Sequence, residues 1–348
     1  MNLKDLAEQL GLSVSTVSKA INGRGDVNPK TRVRVMEAVA RERYSPDPAA
    51  RRLRKQTSET IAFVLSAPQA HFAHPFFLEM LSGIDEELAD SGLQVIVASS
   101  RSVEQELECF ERLVERIRVD ALLFGRTRVH DARIEYLLDR GIPFVAFGRS
   151  EVERPFPFLD IDHTVVGRDG CARFISLGHQ RIALVNTPAY LMISRHHRIG
   201  YERALQAASI PISPELYVEG EISEEGGAHA AHQLLDQPDR PTAIVCGHDL
   251  MAIGVMRAIS ERGYIAGRDI GVIGGDNHPV GNLISPALTT FTADTRAAGR
   301  RMVQLLLARL EGIPAEDLQE VWSPSLILRS SDGSRRAPTP ASLKGITQ

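Results

Sequence analysis

The run Leu6-Ala7-Glu8-Gln9-Leu10-Gly11-Leu12-Ser13-Val14-Ser15-Thr16-Val17-Ser18-Lys19-Ala20-Ile21-Asn22-Gly23 leaves a folding chain few options. Leu3, Leu6, Ala7 and Leu10 recur at helical spacing and make one apolar face. Gly11 permits a tight turn. Ser13 is placed to cap a second helix, on which the spacing turns Val14, Val17, Ala20 and Ile21 inward. Ser15, Thr16, Ser18, Lys19 and Asn22 are left facing out. Two short helices about a glycine turn have helix-turn-helix spacing, and the second helix of such a pair enters a DNA major groove. Short polar side chains let that helix sit deep and offer hydroxyls to phosphates or base edges, and Lys19 can donate to guanine acceptors. Asn2 can cap the first helix, with Asp5 at the capping-box position. Asn28-Pro29 is the cap and first-turn proline of a third helix. Its Val35, Met36 and Val39 are expected to close a three-helix core.

Charge supports the same reading. Residues 1–58 hold twelve Lys/Arg and six Asp/Glu, a charge of +6, so the −4 of the 348-residue chain leaves −10 for residues 59–348. A basic head on an acidic body confines nucleic-acid contact to one end. The length calls for two or three domains. Cys109, Cys171 and Cys246 lie far apart with no CxxC pair, which argues against disulfides or a zinc site and suits a reducing cytoplasm. No secretory leader or membrane-length apolar run is evident.

Residues 44–56 form a hinge in which Asp47 caps and Pro48 opens a helix too short to be stable alone. Ala50 and Leu53 share a face, and a pair of such helices would press Leu53 into a minor groove as an apolar wedge. Beyond residue 58, β-rich runs alternate with helical segments. Strands are expected at 61–66, 94–99, 121–124, 144–147, 182–186, 217–219, 243–246 and 272–274. Helices are expected at 76–91, 104–117, 134–140, 164–176, 197–208, 227–235 and 250–262. Such alternation means parallel sheets covered on both faces, and two runs of it mean two lobes with a ligand cleft at the strand ends.

At this point the residues resemble the LacI/GalR family of bacterial transcription regulators. The recognition-helix motif is Val14-Ser15-Thr16-Val17-Ser18-Lys19-Ala20-Ile21-Asn22, and Tyr44-Ser45-Pro46-Asp47 with Ala50-Arg51-Arg52-Leu53 is similar to the family hinge. Further matches in family order are Leu177-Gly178-His179, Asp249-Leu250-Met251-Ala252-Ile253-Gly254, Ile273-Gly274-Gly275-Asp276-Asn277, Leu288-Thr289-Thr290 and Leu326-Ile327-Leu328-Arg329. Gly125-Arg126-Thr127-Arg128 and Ile244-Val245-Cys246 resemble the branch regulated by α-glucosides and raffinose-type sugars.

The resemblance implies an all-α helix-turn-helix head plus an α/β body of the type 1 periplasmic-binding-protein fold, with two doubly wound lobes sharing three crossovers. Its divisions are a head at 1–45, a hinge at 46–58 and a first lobe at 59–158 with about 291–320. A second lobe is at 159–290 with about 321–330, and a disordered tail at 331–348. It implies a homodimer on a near-palindromic double-stranded DNA operator. Val14, Ser15 and Lys19 would face bases, and Ser13, Thr16, Ser18, Asn22, Asn28 and Thr31 would contact phosphates. Ala50 and Leu53 would belong to the minor-groove contact. The chain departs from the family in three places: Asp47 replaces the hinge asparagine, Asp162-His163 replaces Asp-Asn, and His197 stands where the effector arginine usually sits.

Sugar sites need planar hydrogen-bonding groups around hydroxyls and aromatic faces against C–H surfaces. Phe76, Phe77, Arg126, Phe147, Arg198, His248 and Asp276 are the expected effector residues, with Arg195 and His197 as neighbours of Arg198 that could serve instead. His196-His197 and His229-x-x-His232 have metal-ligand spacing but lack clustered carboxylates or cysteines, so surface histidines are expected, with no metal and no cofactor. A repressor released or engaged by a small molecule, a sugar, is the leading reading. The alternatives are a sugar-binding transport component and a regulator of a non-sugar effector such as a purine. An enzyme is not expected, because no serine elbow, GxGxxG or P-loop accompanies His248-Asp249.

Overall fold

The computed structural model describes residues 3–21, 27–42, 58–66, 75–100 and 102–333. The chain divides at Glu59 into two compact units. The first holds α1 (Leu3–Leu10), α2 (Val14–Ile21) and α3 (Pro29–Arg41). Gly11 takes a φ of 62° at the turn. Asn28 caps α3 by accepting the Lys30 N–H at 2.9 Å. Leu6, Leu10, Val17, Ala20, Val35 and Ala38 form its core. Two inward assignments do not hold. Val14 is 42% exposed and Met36 46% exposed. Val14 is the first residue of α2, and Met36 lies on the face of α3 opposite the buried Val35 and Ala38.

The second unit is built on two sheets. The first is fully parallel, in the order β11-β5-β4-β3-β1-β2. Its strands are β1 (Thr60–Leu65), β2 (Gln94–Ser99), β3 (Ala121–Gly125), β4 (Phe144–Phe147), β5 (Phe158–Ile161) and β11 (Gln319–Trp322). The second, also parallel, runs β7-β6-β8-β9. It comprises β6 (Ile182–Asn186), β7 (Tyr217–Glu219), β8 (Ala243–Cys246) and β9 (Gly271–Ile273). β10 (Thr290–Thr292) and β12 (Ser325–Ile327) pair antiparallel beside it. The chain passes between the lobes after β5, after β10 and after β11.

Helices cover both faces of each sheet. α4 (Pro75–Leu88) and α11 (Thr295–Leu310) pack on one face of the first sheet. α5 (Glu106–Glu111), its π-helical continuation Arg112–Ile117 and α6 (Ala132–Arg140) cover the other. α7 (His163–Ser176) and α8 (Met192–Ala207) cover one face of the second sheet, and α9 (Glu224–Leu235) and α10 (Asp249–Glu261) the other. α7 and α8 cross at paired glycines. A Cβ on Gly200 would overlap the Thr164 carbonyl oxygen, and one on Gly167 that of His197.

The expected lobe boundaries move by a few residues. β5 and β11 both belong to the first sheet, which puts residues 159–161 and 321–322 in the first lobe rather than the second. No helix separates β4 from β5, so strand–helix alternation carries no sign of β5. The tail begins later than expected. Ser331 Oγ donates to the Val272 carbonyl at 2.7 Å, and the buried Asp332 carboxylate pairs with Arg173 at 2.8 Å. Residues 334–348 lie outside the described residues. The three cysteines are buried and unbridged.

Candidate functional site

The carboxyl ends of the strands in both sheets border one cavity of about 150 Å³. That is where a doubly wound sheet presents side chains that are not committed to the core. Asp276, just past β9, accepts the Asp249 N–H on Oδ1 at 2.7 Å, and its Oδ2 lies 3.3 Å from His248 Nε2. His248 caps α10 by accepting the Leu250 N–H on Nδ1 at 3.3 Å. With Nδ1 accepting, the ring proton sits on Nε2 and faces the carboxylate.

Asp249 holds this loop from behind. Its Oδ1 accepts the Gly275 N–H at 2.7 Å, the Asp276 N–H at 3.2 Å and the Thr290 hydroxyl at 2.6 Å. Its Oδ2 accepts the His278 N–H at 2.7 Å. Burial and the adjacent Asp276 charge raise its pKa.

An aromatic wall comes from the other lobe. Phe76 and Phe77 meet edge to face at 5.5 Å, and Phe147 lies 5.6 Å from Phe76. Arg126 follows β3 with a φ of 51°, left-handed for a residue that carries a Cβ. Its carbonyl is held by the fully buried Arg133 guanidinium at 2.9 Å, itself paired with Asp131 at 2.7 Å and Glu106 at 3.0 Å. The turned backbone lays the Arg126 guanidinium 5.9 Å from the Phe77 ring centre. Burial lowers its pKa to about 10, opposed by the Glu106 and Asp276 carboxylates. Arg149 reaches Asp160 at 2.5 Å and Asp162 at 3.3 Å. Burial pushes the Asp160 carboxyl up to about 6 despite that partner.

Contacts beside the cavity tie the lobes together. The Val129 N–H donates to the Tyr190 carbonyl and the Met192 N–H to the Thr127 carbonyl, both at 3.0 Å. Arg195 pairs with Glu151 at 2.9 Å. Thr127 and Met192 both line the cavity, so the lobes are joined at its border.

Six of the seven expected effector residues line this cavity: Phe76, Phe77, Arg126, Phe147, His248 and Asp276. Arg198 does not. It pairs with Glu202 at 2.7 Å and stacks 4.9 Å over the Tyr217 ring. On α8 the cavity is met by Met192, Ile193 and His196. Arg198 lies two positions past His196, roughly 200° round the helix, and so faces outward. The expectation of surface histidines also fails at His196 and His197, both buried. Burial lowers the His196 pKa to about 4, and His197 accordingly stays neutral as well. Sequence reasoning missed Thr127, Arg149, Asp160, His163, His196 and Thr292. Most sit at crossovers or strand ends, so their position was the available signal.

In the first unit, Ser13, Val14 and Ser15 are exposed, and Thr16, Ser18 and Lys19 are partly so. Ser13 Oγ accepts the Thr16 N–H at 3.1 Å and caps α2. Asn28 is exposed at the start of α3, with Thr31 partly exposed one turn on. Asn22, Asp47, Ala50 and Leu53 lie outside the described residues.

Comparison with known proteins agrees with this geometry. Residues 2–47 match the profile of "Bacterial regulatory proteins, lacI family", and residues 171–331 that of "Periplasmic binding protein-like domain". The HTH-type transcriptional regulator AglR of Rhizobium meliloti (strain 1021) is 36% identical, over 98% of this chain and 97% of its own length. A solved transcriptional regulator CelR–cellobiose complex is similar with a TM-score of 0.74 and 30% identity, covering 95% of this chain and 99% of that one. The Lac repressor dimer bound to operator and the anti-inducer ONPF is similar with a TM-score of 0.78 and 28% identity, over 95% and 99%. These are transcription regulators, not enzymes.

Proposed function

The chain belongs to the LacI family of bacterial regulatory proteins, and we propose that it is a repressor whose grip on operator DNA is set by a saccharide of the α-glucoside or raffinose type. One observation carries the ligand class. The Asp276–His248 pair and the Phe76–Phe77–Phe147 wall line one cavity, each contributed by a different lobe. A carboxylate can bridge two hydroxyls while aromatic rings cover the C–H face of a sugar. Arg126, laid over Phe77, adds a donor fork on the same side.

In this reading α2 enters the major groove of each half of a near-palindromic operator. Val14, Ser15 and Lys19 read bases, and Ser13, Thr16, Ser18, Asn22, Asn28 and Thr31 hold phosphates. Ala50 and Leu53 supply the minor-groove wedge. A second copy of the chain would cover the exposed apolar side chains Leu78, Val97 and Leu283. The protein works in the cytoplasm, where its operator is. Ligand binding shifts the lobes between open and closed arrangements, and the hinge transmits the difference to the heads.

A thermal-shift screen of maltose, sucrose, trehalose, raffinose and melibiose tests the ligand class. One of them is expected to stabilise the protein, by about 2.7 kcal/mol at a hundred times its dissociation constant. Asp276→Ala should abolish that shift while the unliganded protein still unfolds cooperatively. A purine that stabilises the protein when no saccharide does would overturn the reading.

A further inference from the structure

His163 is the first residue of α7, and its ring lines the cavity. It is not needed as a helix cap. Asp162 Oδ1 accepts the Thr164 N–H at 3.2 Å and the Thr164 hydroxyl at 2.6 Å. The His163 ring instead meets the His197 ring edge to face, with centres 5.1 Å apart. Nδ1 of His163 and Nε2 of His197 are both buried, and neither has a hydrogen-bond partner among the described residues.

The protonation of His197 follows from its neighbour. Its Nδ1 lies 3.1 Å from Asn186 Oδ1, an oxygen that also accepts the Thr187 N–H at 3.0 Å. The Asn186 amide nitrogen is fixed by donating to the Ser194 carbonyl at 2.8 Å. An amide oxygen only accepts, so the His197 proton is on Nδ1 and Nε2 is a bare lone pair. Buried polar atoms left without partners are rare and unfavourable, and each asks for an occupant that can satisfy it.

The charges around the cavity define that occupant further. The cations bordering it have carboxylates close by: Arg149 has Asp160 and Asp162, and the Arg126 charge is felt by Asp276. Burial keeps His163 and His196 neutral, with pKa values of about 3 and about 4. An anion entering here would meet the Asp276 and Asp160 carboxylates as well as Arg126 and Arg149, beside imidazoles that add no charge. A hydroxyl suits the site better, because it can donate to a bare ring nitrogen or accept from a protonated one.

We propose that His163, with the His197 ring behind it, is a specificity-determining group of this cavity that takes a hydroxyl of a neutral ligand. The inference rests on the cavity being the effector site and adds a residue and a charge class to it. The competing role for the ring pair is a purely structural edge-to-face contact.

The test is isothermal calorimetry on the full-length protein with maltose, raffinose, adenosine and glucose 6-phosphate as probes. It compares the wild type with His163→Phe, which keeps the ring and removes its nitrogens, and His163→Gln, which keeps a hydrogen-bonding group. The proposal expects a neutral saccharide to bind the wild type, to bind His163→Phe at least about tenfold more weakly, and to bind His163→Gln in between. The unfolding midpoint of unliganded His163→Phe should not fall, since no hydrogen bond is lost. Equal saccharide affinity in all three proteins overturns the role of His163 and leaves the effector site standing. Preference for glucose 6-phosphate over the neutral sugars overturns the neutral class. If no saccharide binds the wild type, both this inference and the saccharide reading fall. Should His163→Phe fail to fold, wild-type affinity in His163→Gln together with unchanged preference among the probes counts against the proposal.

Discussion

Asp276 and Asp249 show how neighbouring carboxylates acquire different roles from their surroundings. Asp249 is enclosed and takes four donors, so its work is to hold the loop that carries Asp276. Asp276 keeps an edge on the cavity and shares it with His248. The buried imidazoles give this neighbourhood a pH signature. Unfolded histidine titrates near pH 6.5, whereas folded His163 stays neutral down to about 3. Above pH 6.5 neither state binds the proton and the group is silent. As pH falls below 6.5 the unfolded chain gains a proton that the folded one refuses, so stability is lost. The loss amounts to roughly 1.4 kcal/mol per pH unit for each such group. His163→Phe removes it, and the stability difference between variant and wild type should grow in the variant's favour from pH 6.5 to pH 4. Taking the difference cancels the opposite contributions of Asp160 and Asp249, whose pKa values are raised. Denaturant titrations at pH 7, 6, 5 and 4.5 check this, and parallel profiles would contradict it. Phe147, Arg126 and Asp276 were legible because a residue at or just past the carboxyl end of a buried strand faces the crevice. His163 was not, since a histidine in a first helical turn carries no mark of burial. Arg198 was misplaced because a step of two residues on a helix reverses the direction of a side chain.

Helix pairs set the walls of the cavity. α7 and α8 approach closely because Gly167 and Gly200 each accept a carbonyl of the other helix where a Cβ would stand. α4 and α11 cross in the same way at Gly83 and Gly299. Gly200→Ala should force α7 and α8 apart and lower stability by about 1–3 kcal/mol. Ligand affinity should fall with it, because these helices carry His163 and His196. Calorimetric unfolding and ligand titration of that variant check the expectation, and a wild-type midpoint would contradict it. Strands such as Gln94–Ser99 and Ile182–Asn186 were readable to the residue, because β-branched runs bounded by turn residues signal them strongly. β5 escaped notice because it follows β4 through a loop with no helix between. β11 pairs with it from a point more than a hundred residues later, a partnership that local pattern cannot carry.

The two-unit organisation follows from the charge split and the linker composition, both visible before any fold was known. The joining of the two lobes was not visible. It depends on backbone pairing between Val129 and Tyr190 and on the Arg195–Glu151 contact, and neither leaves a mark in hydrophobic periodicity. Operator binding by the basic head should weaken steeply with salt, since each phosphate contact releases a counterion. A logarithmic affinity plot with a slope near zero between 50 and 200 mM salt would contradict phosphate contacts by α2 and α3. The central claim is that occupancy of this cavity sets the affinity of the head for DNA. It is tested by fluorescence anisotropy on an operator duplex selected from random sequence, titrated with the full-length protein with and without the saccharide that stabilises it. The account expects the dissociation constant to change at least fivefold on adding the saccharide, and Asp276→Ala to be insensitive to it. A saccharide that binds the protein yet leaves operator affinity unchanged would contradict it.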